Sequence, residues 1–373
     1  MIVRRVFATV LALLVTACGA ETVTPRYIES GNPAQLSEWG QLQIRGGMLE
    51  PAEGVIAYDL TSPLFTDYAH KLRTIWMPEG SQAVYREDDV LDFPVGTVIT
   101  KTFYYPRGEE AGALSSTHPG GEDALAARLD LDRVELIETR ILVRREAGWD
   151  AIPYRWDASQ NEAALNRIGD IIPMQLSHDG QQLAFNYIMP NVNQCASCHA
   201  PDSNTRAIAP IGPKPRHLNR DFDYGSGPAN QLAHMAELGL LVNAPLPEAA
   251  PHNADWTDPA VALDARARAY LDINCSHCHS PVGPADTSGL FLEPDTPAGP
   301  QLGLCKLPIA AGGGTGDRPY DIVPGEPDLS ILLYRMASVE ADVMMPEIGR
   351  STIHAEAVEL IREWIAQMDG NCA

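Results

Sequence analysis

Apolar positions along this chain repeat with different periods in different stretches. Val6 to Val15 is a continuous apolar run behind Arg4 and Arg5. It is too short for a membrane span and has the layout of an export signal over residues 1–17. Residues 18–45 are polar and irregular and read as a tether. From 46 to 190, β-branched and aromatic runs bounded by Gly and Pro predict strands, notably Val98–Tyr105, Val134–Arg145 and Gln182–Ile188. Trp149, Tyr154 and Trp156 add the aromatic bulk of a β core. Further on the period lengthens. Helices are predicted from Pro228, stopping at Gly239, over Pro259–Ile273, in the second half of Pro324–Arg335, and over Ile353–Met368. In the last of these, Val358, Leu360, Ile361, Trp364 and Ile365 form one broad apolar stripe. The expected architecture is α+β: an antiparallel β domain over 46–190, then two mainly α-helical domains over 191–258 and 259–373.

Each of the two later segments carries the same pentapeptide, Cys195-Ala-Ser-Cys198-His199 and Cys275-Ser-His-Cys278-His279. C-x-x-C-H is the attachment signature of a c-type haem. Thiols at i and i+3 share one face of a helical turn and can form thioethers to the vinyl groups of one porphyrin. The adjacent imidazole then reaches the iron. Zinc is the competing chemistry, but paired C-x-x-C zinc sites space their pairs about 12–20 residues apart, and here they lie far apart with His after each. A thioredoxin-like redox site would need a βαβ pattern that neither pair has. The segments therefore read as c-type haem domains, with two covalently bound haem c as cofactors. Cys195, Cys198, Cys275 and Cys278 are the attachment residues, and His199 and His279 the proximal ligands. His277, inside the second pentapeptide, is expected to face solvent.

Charge and cysteine usage narrow the setting. The formal net charge of −22 argues against nucleic acid and against an anionic membrane surface, and suits docking onto a basic redox partner. Val15-Thr16-Ala17-Cys18 resembles a bacterial lipobox, with Cys18 as the acylated residue and membrane attachment through that lipid, on the periplasmic face of the outer membrane. Of seven cysteines, Cys18 and the four in the pentapeptides leave Cys305 and Cys372. An oxidising compartment favours joining that pair.

Several phrases identify a wider likeness. Leu60-Thr-Ser-Pro-Leu-Phe-Thr-Asp67, Phe93-Pro-Val-Gly-Thr97, Pro190 to His199, Leu218-Asn-Arg-Asp-Phe222 and Val323-Pro-Gly-Glu-Pro327 resemble a bacterial family of exported dihaem c-type cytochromes. The resemblance covers most of the chain after the signal. It implies electron transfer in the cell envelope, sometimes beside a parallel β-helix repeat protein, and supplies no substrate. The segment 259–373 resembles a class I cytochrome c, with opening and closing helices packed together. That likeness implies Met345, before Pro346, as the sixth ligand of the second haem, with Met344 its neighbour and competitor; a thioether opposite imidazole favours ferrous iron. For the first haem the candidates are Met235, Met189, Met174, His217 and His234, or an open position, with Met235 or His234 preferred for their place on the helix after Ile211–Asn219, a proline-stiffened loop that could wrap the haem edge.

These readings leave three functions: a single-electron carrier, a dihaem peroxidase or oxidase with an open first haem, and a redox subunit whose β domain docks a dehydrogenase. No catalytic triad or phosphate loop is visible in the sequence. The cysteine arithmetic has its own check: non-reducing peptide mapping should recover Cys305 and Cys372 in one linked fragment, and finding both thiols free would refute the pairing.

Overall fold

The structure is a computed structural model that describes residues 23–110, 112–118, 127–225, 227–309 and 311–372. The expected export signal and Cys18 lie outside these residues. In chain order the first strands are β1 (Leu42–Arg45), β2 (Met48–Pro51), β3 (Ile56–Tyr58), β4 (His70–Trp76), β5 (Ala83–Val84), β6 (Val98–Pro106), β7 (Leu114–Ser115) and β8 (Leu129–Asp130). There follow β9 (Val134–Arg145), β10 (Gly148–Trp156), β11 (Ala163–Leu165), β12 (Asp170–His178) and β13 (Gln181–Met189). The helices are α1 (Ala196–His199), α2 (Pro215–Leu218), α3 (Gln231–Glu237), α4 (Leu263–Leu271), α5 (Ile331–Met336) and α6 (Ala355–Ala366). Short strands β14 (Asp221–Asp223), β15 (Pro228–Asn230) and β16 (Leu241–Val242) lie between α2 and α4.

A six-stranded sheet in the order β11-β10-β9-β6-β4-β3 dominates. Its neighbours are antiparallel throughout. Strand side chains alternate between faces, so each of the long runs has two jobs. One face packs Leu72, Val98, Ile141, Ile152 and Tyr154 against Trp39 and Leu49. The other presents Ile75, Ile99 and Leu142 to Leu218, Leu232, Leu241 and Ile273. The apolar residues of 191–258 therefore complete the core of the sheet. The hairpin β12–β13 covers Phe103 and Tyr105 with Met174, Leu176, Tyr187 and Met189.

Much of the expected tether is built into this body. Trp39 is fully buried, and its indole Nε1 donates to the Tyr154 hydroxyl at 2.8 Å.

The α+β expectation with two mainly α-helical haem domains, the last class I cytochrome c-like, is overturned. Strand makes up 27% of the described residues and helix 20%. Among the described residues only α3, α4 and α6 reach seven residues. Proline is the physical reason. It lacks the amide hydrogen and clashes with the preceding turn, and Pro210, Pro213, Pro215, Pro228, Pro245, Pro247 and Pro251 divide the first of these segments. The stretch from Pro228 thus begins as a strand and becomes helical only at Gln231, where Asn230 caps the amides of Leu232 and Ala233.

The C-terminal segment keeps a small helical core. Ala267, Tyr270 and Leu271 of α4 meet Leu360, Ile361, Trp364 and Ile365 of α6, and Trp364 Nε1 donates to Asp264 at 2.9 Å. Beyond α4 the chain widens into a π-type turn, Asp272–Ser276, that leads into the second pentapeptide. No helix among the described residues is long and apolar enough to cross a membrane. Ile361 is fully buried, so Ile361→Ala should destabilise this segment by about 2–5 kcal/mol. An unchanged denaturation midpoint would refute the packing of α6.

Candidate functional site

Both pentapeptides line one cavity of about 630 Å³ between the sheet and the C-terminal segment. That lies within the range of about 300–1,000 Å³ typical of small-molecule sites. The motifs also touch: Cys278 Sγ lies 3.6 Å from the carbonyl oxygen of Ser197. All four of their cysteines are free thiols.

The imidazoles are held in matching ways. His199 Nδ1 pairs with the carbonyl of Ala209 at 2.9 Å, and His279 Nδ1 with that of Leu290 at 3.3 Å. A carbonyl partner fixes the Nδ1–H tautomer and leaves the Nε2 lone pair for a metal. Burial, with Lys101 nearby, pushes the His199 ring down to about 3, and burial lowers His279 as well. Both rings are therefore neutral at physiological pH, as ligation requires. In each motif the following chain supplies the carbonyl: Ala209 precedes Pro210-Ile-Gly-Pro213, and Leu290 lies within the Gly- and Pro-rich stretch that begins at Gly283. Burial raises the thiols, to about 12 for Cys275 and Cys278.

The donor geometry of the pentapeptides does not make a zinc site. Among the described residues, the cluster with three His, Cys or carboxylate donors mutually within 4.8 Å is His178, Asp179 and Glu356, away from the pentapeptides. The four motif thiols do not converge as a tetrahedral site needs. Two separate C-x-x-C-H turns, each with an oriented imidazole beside one cavity, fit a covalently held porphyrin instead.

Met344 and Met345 both line the cavity. The Met345 backbone is tied on both sides, its amide donating to Arg335 O at 3.0 Å and its carbonyl accepting from Arg350 Nη2 at 2.8 Å. The candidates for the first haem are placed elsewhere. Met235 is 1% exposed within the apolar core beside Leu218, Leu232 and Leu241, and it is not on the cavity wall. Its helical stripe is a packing stripe. His234 stacks on Tyr224 at 3.8 Å, Met174 and Met189 pack under the β12–β13 hairpin, and His217 faces Asp272.

His277 departs from its expected solvent-facing place. It lines the cavity, and its Nδ1 is buried with no hydrogen-bond partner among the described residues. Sequence reasoning also missed Lys71, Arg73, Lys101 and Arg140, which line the same cavity from the sheet. Cys305 and Cys372 are joined, with Cα atoms 5.3 Å apart, so the C-terminus is fastened to the loop after Gly303.

Asp272, three positions before Cys275, fixes the join between the motifs. It accepts from Arg216 Nε at 2.7 Å and Nη2 at 2.9 Å, from Asn253 at 2.7 Å and from Ser276 Oγ at 2.9 Å. Burial alone would raise this carboxyl. The Arg216 hydrogen bonds, with the charges of His217 and Arg216 and the Asn253 amide, outweigh it and hold the group well below the usual carboxylate range. A depressed folded-state value adds stability above the unfolded value of about 3.9, and that stability is lost as pH falls through the folded value. Asp272→Asn should therefore cost about 3–5 kcal/mol at neutral pH by stranding the Arg216 charge. The gap to the unsubstituted protein should narrow in acid below pH ~4. A gap that stays constant with pH in urea titrations would refute this role.

Comparison of the chain with protein-family models, with curated proteins and with solved structures finds no match.

Proposed function

We propose that this protein is a dihaem c-type cytochrome that passes single electrons in the bacterial cell envelope. It is held to the membrane through a lipid on Cys18 and docks redox partner proteins. The observation that carries this reading is the shared cavity: two C-x-x-C-H turns line it and touch at Cys278 and Ser197. Haem c, once bound, supplies one-electron chemistry at its iron.

The chain's own residues do the rest. Cys195 and Cys198, and Cys275 and Cys278, tether; His199 and His279 ligate through Nε2 while Ala209 and Leu290 hold their rings; Met345 closes the second site. Apolar walls such as Leu290, Leu292 and Leu332 keep water from the iron and favour the less charged, reduced state. The acidic surface implied by a net charge of −22 speeds encounter with a basic partner, and that advantage shrinks with salt.

A second reading, a peroxidase or oxidase with an open first site, draws on the placement of Met235 in the core, away from His199. Spin state separates the two. Two low-spin six-coordinate haems favour the carrier, whereas one high-spin haem with rapid peroxide turnover favours the enzyme.

Expressed with its maturation machinery, the chain should show two haems in the pyridine haemochrome assay. Met345→Ala should abolish the weak near-infrared Met–Fe(III) band. A haem-free product sinks the proposal, and a retained band excludes Met345.

A further inference from the structure

The wall of the cavity formed by the sheet has an unusual charge arrangement. In the β4–β6 register Arg73 stands opposite Lys101, and in the β6–β9 register Lys101 stands opposite Arg140. The three side chains form a row across three strands, and all line the cavity. Lys71 stands one pleat along β4 on the same face. Lys71 Nζ, Lys101 Nζ and Arg140 Cζ lie 5.9, 5.2 and 4.4 Å from the centroid of the Phe103 ring. That ring offsets only part of their charge.

Like charges directly opposite on neighbouring strands are destabilising, and burial makes the repulsion stronger. Burial and the adjacent guanidinium groups push Lys101 down to about 7. Two carboxylates answer the four cations. Asp59 pairs with Arg73 at 2.5 Å but is shared with Arg220 at 3.3 Å. Glu138 pairs with Arg140 at 2.5 Å and also accepts from the Tyr187 hydroxyl at 2.7 Å. Lys71 donates to the Leu64 carbonyl at 3.0 Å. Among the described residues no carboxylate or carbonyl accepts from Lys101. In a protein whose net charge is −22, cations gathered on one wall of the cavity mark a place for anionic groups.

We propose that the row Arg73–Lys101–Arg140 receives the propionate carboxylates of the haem attached at Cys195 and Cys198. The proposal rests on the dihaem reading. Cations outnumber carboxylates on this wall, and guanidinium or ammonium to carboxylate is among the stronger hydrogen-bonded pairings. The β region thereby gains a role, because the sheet becomes one wall of the first haem's site and tunes that haem by charge. A positive wall stabilises the extra electron of the reduced state and raises the potential.

The test uses the full haem-loaded chain, Lys101→Gln and Lys101→Arg. Haemochrome counting comes first, and all three should carry two haems. In Lys101→Gln the midpoint of one haem should fall by about tenfold in its reduction equilibrium, about 59 mV for one electron. The propionate-bending band in the resonance Raman spectrum should shift, and the other haem should keep its midpoint. Lys101→Arg should retain both the midpoint and the band of the unsubstituted protein. Two haems with midpoints and band unchanged in Lys101→Gln would overturn the proposal and leave the dihaem reading standing. Loss of a low-spin signal in Lys101→Gln would overturn it too, by making Lys101 an iron ligand. A chain that carries no haem would overturn the dihaem reading itself.

Discussion

The buried Asp272 carboxylate is the constraint on which the relation between the two pentapeptides depends. Its partners come from three segments: Arg216 from α2, Asn253 from the proline-rich stretch before α4, and Ser276 from the turn that delivers Cys275. Arg216 follows closely on Pro210–Pro213, whose preceding residue, Ala209, holds His199. One carboxylate thus sets how far the first motif stands from the second. Desolvation offsets much of the attraction in a buried ion pair, so the effect lies mainly in register. Three segments can satisfy this carboxylate in one arrangement, and that arrangement brings Cys278 against Ser197.

The sheet extends the same logic from position to charge. Its strands alternate, and the face toward the cavity divides along its length. Ile75, Ile99 and Leu142 seal the core formed with Leu232 and Leu241, while two residues further along each strand Arg73, Lys101 and Arg140 stand exposed to the cavity. A sheet selected for stability alone would continue the apolar rows. A cationic row lining a cavity departs from that rule, and such departures concentrate where a protein binds something.

Legibility in the sequence followed the range of the interaction. The pentapeptides were readable because their chemistry lies within five residues. Strand β9 was readable to its ends, Val134 and Arg145, because a long β-branched run has no competing period. The pairing of Cys305 with Cys372 followed from counting cysteines. The helical content was overestimated because apolar spacing after Pro228 and Pro259 looks helical, whereas proline shortens the segments that form. Met235 misled for a related reason: an apolar helical stripe packs in the same way whether or not a metal is near. Lys101 was invisible. A lone lysine in an alternating strand looks like a solvent-facing residue, and only the register with β4 and β9 places it between two arginines. His277 was hidden likewise, since the charges around it come from Lys214 and from Lys101 of β6, far away in the chain.

Sharing one cavity has a consequence for any pair of redox groups held there. Two unit charges ~10 Å apart at an effective dielectric of about 20 interact by about 1.7 kcal/mol, more than tenfold in an equilibrium constant. Adding an electron at one site therefore disfavours adding the next at the other. What separates them is the environment of each. The first motif faces the cations of β4, β6 and β9, whereas the second lies beside Leu332 and Met336 of α5 and Met344 and Met345, with Arg335 near His279. Under the dihaem proposal that asymmetry, built from β4, β6 and β9, sets which site takes the first electron.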